Sequence, residues 1–205
     1  MNKKRTLTFV DFQNDFVAPS GILSFDSGKG DTKLIQKTQA FFKKMEKHTF
    51  SYGIITYDTH QKESYFSTPE SKQFPLHCNK GSLGWQLAVD VNLIQAKIPY
   101  IQHLEKSTYD MWAESIHKPD STIIQNTKEV VLFGVASDIC NKAALEGWLN
   151  YDVQVIILED LTRGIFKQTA DVLKEPPFAQ AVASGKIRTM NSKYFLKQIK
   201  ERGYV

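Results

Sequence analysis

The chain has 205 residues, of which 41% are apolar and 12% are aromatic. This apolar content is enough to bury one full core, so we expect a single domain over residues 1–205 that folds unaided. The formal net charge is +4, and the lysines and arginines are scattered along the chain. The scattering excludes the clustered basic surface that is typical of nucleic-acid-binding proteins.

No segment approaches the roughly 20 apolar residues that span a bilayer. The apolar stretch near the amino terminus is too short for a signal peptide and is interrupted early by Asp11. We therefore expect a soluble, cytoplasmic protein with no membrane or nucleic-acid partner, and a homo-oligomer is compatible with the sequence. The two cysteines, Cys78 and Cys140, do not make a disulfide scaffold, and we expect Cys140 to be a free thiol.

Short β-branched apolar runs alternate with amphipathic stretches of helical period. This alternation predicts an α/β fold: a three-layer α/β/α doubly wound sheet, mostly parallel, of about six strands. The predicted strands are residues 6–12, 51–58, 99–106, 129–136, 152–160 and, more weakly, 186–190. The predicted helices are residues 31–47, 83–95, 138–149, 166–173 and 192–201.

The longest irregular stretch, residues 59–81, is too long for an ordinary connection between a strand and a helix. Loops of this length in compact domains are usually functional or disordered. This one holds two histidines and two glutamates. It is therefore a candidate for part of a binding site.

Ionisable or nucleophilic side chains gather at the ends of four predicted strands. Asp11, Asp58 and Lys106 lie at the ends of the first three, and Cys140 follows the fourth. Each has an ordinary interpretation, because a strand-end aspartate often forms a turn and a small thiol is usually part of the core. Ligands of open α/β sheets bind beyond the carboxyl ends of the strands, where the strand order reverses, so the coincidence favours an active site there.

Asp138 is a good N-cap for the helix that follows "GVAS", which would place Cys140 in the first helical turn. The free N–H groups and the helix dipole would favour the thiolate there, and a nearby Lys106 would lower the pKa of the thiol further. Cys140 is then a nucleophile, with Asp11 as the proton-transfer group. The N–H groups around Ala136 and Cys140 would hold a developing oxyanion.

The same region suggests a metal site. Asp58 and His60 are two residues apart at a strand end, and Glu70 and His77 follow in the long loop. Two imidazoles and two carboxylates suit zinc, iron or manganese better than calcium or magnesium. The spacing is weak support by itself, because Asp-x-His occurs often by chance.

Four stretches of the sequence resemble the isochorismatase-like cysteine hydrolases and, within them, the nicotinamidases. "VDFQNDF" resembles the opening strand of that family, and "LEKSTYDMW" resembles its lysine strand. "YDTHQ" followed by "PESKQFPLHCNKGSLGWQL" resembles the nicotinamidase metal loop. "GVASDICNKAAL" resembles the turn that carries the nucleophile and is the most specific of the four.

The resemblance implies roles for individual residues. The implied catalytic residues are Asp11, Lys106 and Cys140, with an oxyanion hole at Ala136 and Cys140. The implied metal ligands are Asp58, His60 and His77, with Glu70 in a fourth position that varies within the family. Phe16 and Phe74 are the implied aromatic contacts to the substrate. Glu63 and Ser64 remain alternatives for the fourth ligand, and both phenylalanines fit an ordinary core equally well. The family also implies a cis peptide bond between Val135 and Ala136.

The implied activity is the hydrolysis of nicotinamide to nicotinate and ammonia in NAD salvage, through a thioester on the cysteine, with pyrazinamide as a further substrate. The implied cofactor is one divalent transition metal, with zinc preferred over iron or manganese, and it would bind the pyridine nitrogen. The alternative is a related amidohydrolase that acts on a ureido or carbamoyl compound. A non-enzymatic receiver or flavin module on a similar sheet fits less well. A receiver needs clustered acids directly after its first strand, whereas Phe12 and Gln13 follow Asp11, and "DFQNDF" lacks the Ser, Thr and Gly of a flavin phosphate loop.

Overall fold

The structure is a computed structural model that describes residues 4–113 and 118–202. Within these residues six strands form one sheet, and every neighbouring pair of strands is parallel. The strands are β1 Arg5–Val10, β2 Tyr52–Asp58, β3 Tyr100–Lys106, β4 Glu129–Val135, β5 Gln154–Arg163 and β6 Ile187–Met190. The predicted α/β/α fold with about six strands is confirmed, and each predicted strand is present with end points shifted by a few residues.

Helices connect the strands and cover the sheet. They are α1 Asn14–Val17, α2 Phe25–Gly28, α3 Thr32–Lys44, α4 Lys62–Tyr65, α5 Asn92–Gln95, α6 Ser121–Asn126, α7 Cys140–Trp148, α8 Thr169–Val172, α9 Phe178–Ala183 and α10 Ser192–Arg202, with a 3₁₀ turn at Glu70–Lys72. Asp26 and Ser27 have positive φ angles, so α2 is a distorted turn. Among the described residues, no helix combines the length and the apolar character that a membrane crossing requires.

The strand order is β3-β2-β1-β4-β5-β6, so the order reverses between β1 and β4. In such sheets the crevice beyond the reversal point is where ligands bind. Val10 pairs with Gly134 at this point, and a Cβ atom on Gly134 would lie 2.1 Å from the Val10 carbonyl oxygen. Gly134 also has a φ of 126°, so the end of β4 requires glycine. The residues that follow β1 and β4 therefore lie close together.

Apolar side chains cover both faces of the sheet. On one face, Phe9 of β1 packs against Phe42 of α3 with ring centroids 5.1 Å apart. On the other face, the fully buried Trp148 of α7 donates an indole hydrogen bond to the Thr8 hydroxyl at 3.1 Å. Because side chains alternate along a strand, neighbouring residues of β1 serve opposite layers. The two layers fix the sheet and hold its carboxyl edge in place.

The helix predicted over residues 83–95 is wrong for most of its length, since only α5 is helical there. The backbone of the preceding residues pairs with the segment after β1 instead. Asn14 and Asp15 donate N–H bonds to the carbonyls of Gln86 and Gly84, and Ala88 donates to Phe12. This long-range pairing occupies groups that a helix would have used locally.

Candidate active site

The carboxyl ends of β1, β2 and β3 and the start of α7 bring Asp11, Asp58, Lys106 and Cys140 together. Asp58 and Lys106 are register partners on neighbouring strands. Asp11 is fully buried, Lys106 is 2% exposed and Cys140 is 8% exposed. The four residues that were predicted from the strand ends thus form one buried group.

Lys106 lies between the carboxylate of Asp11 and the thiol of Cys140. Its Nζ is 2.6 Å from Asp11 Oδ2 and 3.7 Å from Cys140 Sγ, and it donates to the Thr108 carbonyl at 3.1 Å. Lys106 Nζ therefore lies within reach of both side chains, and the Asp11 charge adds to the effect of burial in raising the pKa of the Cys140 thiol. The Thr56 hydroxyl donates to Asp11 Oδ1 at 2.6 Å, which fixes the orientation of the carboxylate.

The electrostatics of this group correct one expectation. Burial raises the pKa of the Cys140 thiol well above its usual value, and the attraction of Lys106 only partly opposes this effect. Burial alone would lower the pKa of Lys106, but the charges of Asp11, Cys140 and Asp58 outweigh it and keep the pKa well above its usual range. The prediction that the thiol is ionised in the resting protein is therefore wrong, and a proton acceptor has to act on Cys140.

We expect alkylation of Cys140 by iodoacetamide to accelerate by about tenfold per pH unit from about pH 7 to pH 9, without levelling off. A raised pKa leaves the thiol protonated at neutral pH, so the reactive thiolate fraction grows with each step in pH. Mass spectrometry of the Cys140 peptide measures the rate, and the fully buried Cys78 is the internal reference. A plateau below about pH 8 would show that the protein stabilises the thiolate instead.

Asp138 does not cap α7 as predicted. The helix begins at Cys140, Ile139 is in the N-cap position, and no side chain caps it. The Asp138 carboxylate instead accepts the N–H groups of Ile165, Phe166 and Lys167 at 3.0, 2.7 and 2.8 Å. These bonds also limit the helix predicted over residues 166–173 to the four residues of α8, because the N–H groups before it point to Asp138.

The turn between β4 and α7 presents backbone donors beside the thiol. The peptide bond between Val135 and Ala136 is cis, in agreement with the expectation from the resemblance. None of the hydrogen bonds found among the described residues uses the N–H of Ala136 or of Cys140. Both groups are therefore available to bind an oxygen atom next to Cys140 Sγ.

Four side chains with metal-binding atoms converge beside this group: Asp58, His60, Glu70 and His77. One donor atom from each lies within 4.8 Å of the donor atoms of the other three. Nε2 of His77 and Nε2 of His60 are 3.0 and 3.2 Å from Asp58 Oδ2. The exposed residues Glu63 and Ser64 lie outside this cluster, so Glu70 is the carboxylate next to the histidines.

The cluster fits a divalent transition metal. His60 Nε2 is buried without a hydrogen-bond partner, so its lone pair is available to an ion. His77 Nδ1 bonds to the Pro75 carbonyl at 2.8 Å, which directs Nε2 toward the cluster. Burial opposes ionisation of Asp58, but Lys106 and the two histidines keep its pKa below the usual range. A permanent carboxylate beside imidazole nitrogens is a donor set that suits zinc, iron or manganese.

Burial and the neighbouring Asp58 charge raise the pKa of Glu70. Despite the opposing effect of burial, the hydrogen bond to Asp58 raises the pKa of His77. Both pKa shifts arise in part because the carboxylates of Asp58 and Glu70 lie close together in the cluster. A cation bound among these groups would relieve that crowding.

One cavity borders both groups. It has about 430 Å³ of space between atoms, part of it open to solvent, and its lining includes Cys140, Asp58, Glu70 and His77. The lining also includes Phe16, Leu23, Phe25, Phe74, Tyr109, Val135, Ala136, Ile139 and Ile165. The rings of Phe16 and Phe74 lie 5.6 and 6.3 Å from the His77 ring, so both predicted aromatics face the cavity beside the metal-binding atoms.

Sequence reasoning missed the residues that support these groups. Gln13 is fully buried and brackets Asp58: its Oε1 accepts the Asp58 N–H and its Nε2 donates to the Asp58 carbonyl, both at 2.8 Å. Asp15 accepts the N–H of Cys78 at 2.7 Å and so anchors the residue after His77. The available signal was the run of polar side chains in "DFQNDF" directly after a buried strand. Cys78 takes part through its backbone, while its thiol is buried.

A doubly wound parallel sheet, with a buried acid, amine and thiol where its strand order reverses, is typical of isochorismatase-like hydrolases. The family model described as the Isochorismatase domain matches residues 5–175, so the chain belongs to the isochorismatase family. A nicotinamidase of Saccharomyces cerevisiae is 28% identical over 195 residues, which cover 78% of this chain and 88% of that enzyme.

Solved structures show the same fold. The nicotinamidase/pyrazinamidase of Bacillus subtilis superimposes with a TM-score of 0.73 at 20% identity, covering 92% of this chain and all of that chain. The pyrazinamidase of Pyrococcus horikoshii, solved in complex with zinc, gives a TM-score of 0.66 at 23% identity and covers 92% of this chain and 99% of that one. At these identities the likeness establishes the architecture.

Proposed function

We propose that this protein is a nicotinamidase that hydrolyses nicotinamide to nicotinate and ammonia, with pyrazinamide as a further substrate. One observation carries the proposal: Cys140, which belongs to the group of Asp11, Lys106 and Cys140, lines the same cavity as three members of the metal-type cluster, Asp58, Glu70 and His77. The similarity to the yeast nicotinamidase and to the nicotinamidase and pyrazinamidase structures supports it. The catalytic residues are Asp11, Lys106 and Cys140.

In the first half of the reaction, Cys140 Sγ attacks the carboxamide carbon while its proton passes to the Asp11 carboxylate. The raised pKa of the thiol makes this transfer necessary, and the buried Asp11 carboxylate, which shares Lys106 with Cys140, is the acceptor that we propose. The N–H groups of Ala136 and Cys140 hold the oxygen that becomes negative. Asp11 then protonates the departing nitrogen, ammonia leaves, and a thioester remains on Cys140.

In the second half, water attacks the thioester carbonyl and gives a proton to Asp11. The tetrahedral intermediate collapses to the carboxylic acid as Cys140 leaves with the proton from Asp11, and the acid then loses its own proton to solvent to become the carboxylate. Lys106 stays charged throughout, with its Nζ 2.6 Å from Asp11 Oδ2, and so holds this carboxylate beside the reacting sulfur. The overall change is the addition of one water to one amide.

Asp58, His60, Glu70 and His77 would hold the divalent ion, and zinc is the ion we propose first. When bound, the ion supplies a Lewis acid that orients the ring nitrogen of a pyridine or pyrazine amide and draws electron density from the ring. The rings of Phe16 and Phe74 would then contact the substrate ring from the side of His77. We propose a cytoplasmic role in the salvage of nicotinamide for NAD synthesis.

The chief rival is a family member that acts on a ureido or carbamoyl compound. An N-carbamoyl amino acid is an aliphatic compound with a charged carboxylate, whereas nicotinamide is a flat, uncharged ring that suits aromatic and apolar walls. None of the described residues that line the cavity is a lysine or an arginine, and most are apolar. The cavity therefore favours an uncharged aromatic amide.

Ammonia release from nicotinamide, pyrazinamide and an N-carbamoyl amino acid tests the proposal, with metal analysis of the same protein sample. We expect turnover of both ring amides, little release from the carbamoyl compound and about one transition-metal ion per chain. Preferential cleavage of the carbamoyl compound would overturn the nicotinamidase assignment in favour of its rival.

A further inference from the structure

The turn formed by residues 164–167 follows β5 and borders the cavity. Ile165 is the residue of this turn that lines the cavity, next to Ile139 and Cys140. Its side chain is 38% exposed, so it belongs to the rim of the cavity. Ile165 is therefore a part of the cavity rim that lies on the same cavity as the nucleophile.

One carboxylate accepts three hydrogen bonds from this turn. Asp138 accepts hydrogen bonds from the consecutive N–H groups of Ile165, Phe166 and Lys167. Three donors that converge on one carboxylate give charge-assisted bonds, which are stronger than bonds between neutral groups. The same carboxylate lies two residues before Cys140, so the rim and the nucleophile share one anchor.

Ser137 adds two further attachments between the nucleophile turn and the rim. Its hydroxyl donates to the Lys167 carbonyl at 2.8 Å, and its N–H donates to the Arg163 carbonyl at 2.9 Å. A Cβ atom on Gly164 would lie 1.9 Å from the Lys167 carbonyl oxygen and 2.3 Å from the Ser137 hydroxyl. The turn is thus packed tightly against the segment that carries Cys140, with no space for it to shift inward.

We propose that Asp138 is a positioning residue that fixes Ile165 as a wall of the cavity and thereby restricts the enzyme to amides with a single ring. The inference rests on the proposed function and deepens it by assigning the limit on substrate size. Asp138→Asn keeps the shape of the side chain but turns an NH₂ group toward at least one of the three N–H donors. The turn then loosens, and the wall no longer excludes a second fused ring.

The experiment compares kcat/KM for nicotinamide and for quinoline-3-carboxamide in the wild type, Asp138→Asn and Ile165→Ala. We expect both variants to raise the ratio of bicyclic to monocyclic kcat/KM by at least about tenfold, since removal of a pocket methylene is typically worth that much. We also expect KM for nicotinamide to rise while kcat stays within about threefold, because the reacting groups remain in place. Ile165→Val keeps most of the side chain, so its kcat/KM ratio and its KM for nicotinamide should be close to those of the wild type.

Asp160→Asn is the matched control. Asp160 also accepts bonds from a backbone N–H and a hydroxyl, those of Ser192, each at 2.7 Å, and it lies outside the lining of the cavity. We expect this variant to lose thermal stability without a change in the ratio between the two substrates. An Asp138→Asn protein that loses turnover on both amides equally, with an unchanged ratio, would overturn the proposal and leave Asp138 a purely structural role.

A second measurement separates this inference from the proposed function. The rates at which Cys140 reacts with iodoacetamide and with an N-naphthyl iodoacetamide report the width of the cavity without reference to any substrate. We expect Asp138→Asn and Ile165→Ala to accelerate the bulky reagent selectively. If the variants change the ratio of the two alkylation rates but the wild type does not hydrolyse nicotinamide, the proposed substrate is wrong and the role of Ile165 as a cavity wall is supported. If the variants leave this ratio unchanged, the proposed role of Asp138 and Ile165 is refuted.

Discussion

Cys140→Ala is expected to abolish ammonia release from nicotinamide, with a loss of kcat of at least about 10⁴-fold. Without the sulfur no thioester forms, and Asp11 and Lys106 have no nucleophile to act on. The fold should persist, because alanine fills most of the space of a thiol that packs in a cluster with Leu145 and Trp148. Binding of nicotinate should also persist, since the remaining cavity walls are untouched.

Cys78→Ala is the matched control for this experiment. Cys78 is the other cysteine of the chain, its thiol is fully buried, and its link to Asp15 uses the backbone N–H, which alanine retains. We expect its kcat to remain within about threefold of the wild type, because a buried thiol outside the reacting group contributes chiefly packing. Circular dichroism and a thermal melt of both variants establish that the fold is intact. Residual turnover by Cys140→Ala at a level near that of the control would rule out covalent catalysis by this cysteine.

The position of the reacting group could be predicted from the sequence because it depends on strand ends. Short β-branched apolar runs end at or just before Asp11, Asp58 and Lys106, and parallel strands bring such ends to one edge of the sheet. The glycine in "FGVAS" marks the close approach of β4 to β1 that brings Cys140 near Asp11. Local patterns and the topology rule point to the same place, and the structure agrees.

Features that depend on long-range contacts could not be predicted in this way. Residues 83–91 have an amphipathic pattern, but their backbone pairs with residues 12–15, and a contact across some seventy positions leaves no local signal. The position of Asp138 before a helix predicts an N-cap, whereas its carboxylate oxygens accept hydrogen bonds from N–H groups that begin at Ile165, far along the chain. The protonation of Cys140 likewise depends on the extent of its burial, which the sequence does not state.

His77→Ala is expected to lower the transition-metal content of the purified protein well below one ion per chain and to reduce kcat/KM for nicotinamide by at least about a hundredfold. His77 contributes a donor atom that is 3.0 Å from Asp58 and that the Pro75 carbonyl directs into the cluster. Its loss leaves one imidazole and two carboxylates, a set that binds zinc more weakly. Glu63→Gln is the control, because it alters an exposed carboxylate of the same loop that lies outside the cluster.

The thermal midpoint provides a readout of this site that does not depend on turnover. An ion that binds only the folded chain stabilises it by mass action, so the midpoint of the metal-free wild type should rise as zinc is added. His77→Ala should lose most of that rise, and Glu63→Gln should keep it. Equal rises in all three proteins would mean that zinc binds elsewhere on the chain. A rise confined to the wild type and Glu63→Gln, together with recovery of activity when zinc is returned after chelation, would tie the metal to the cluster that borders Cys140.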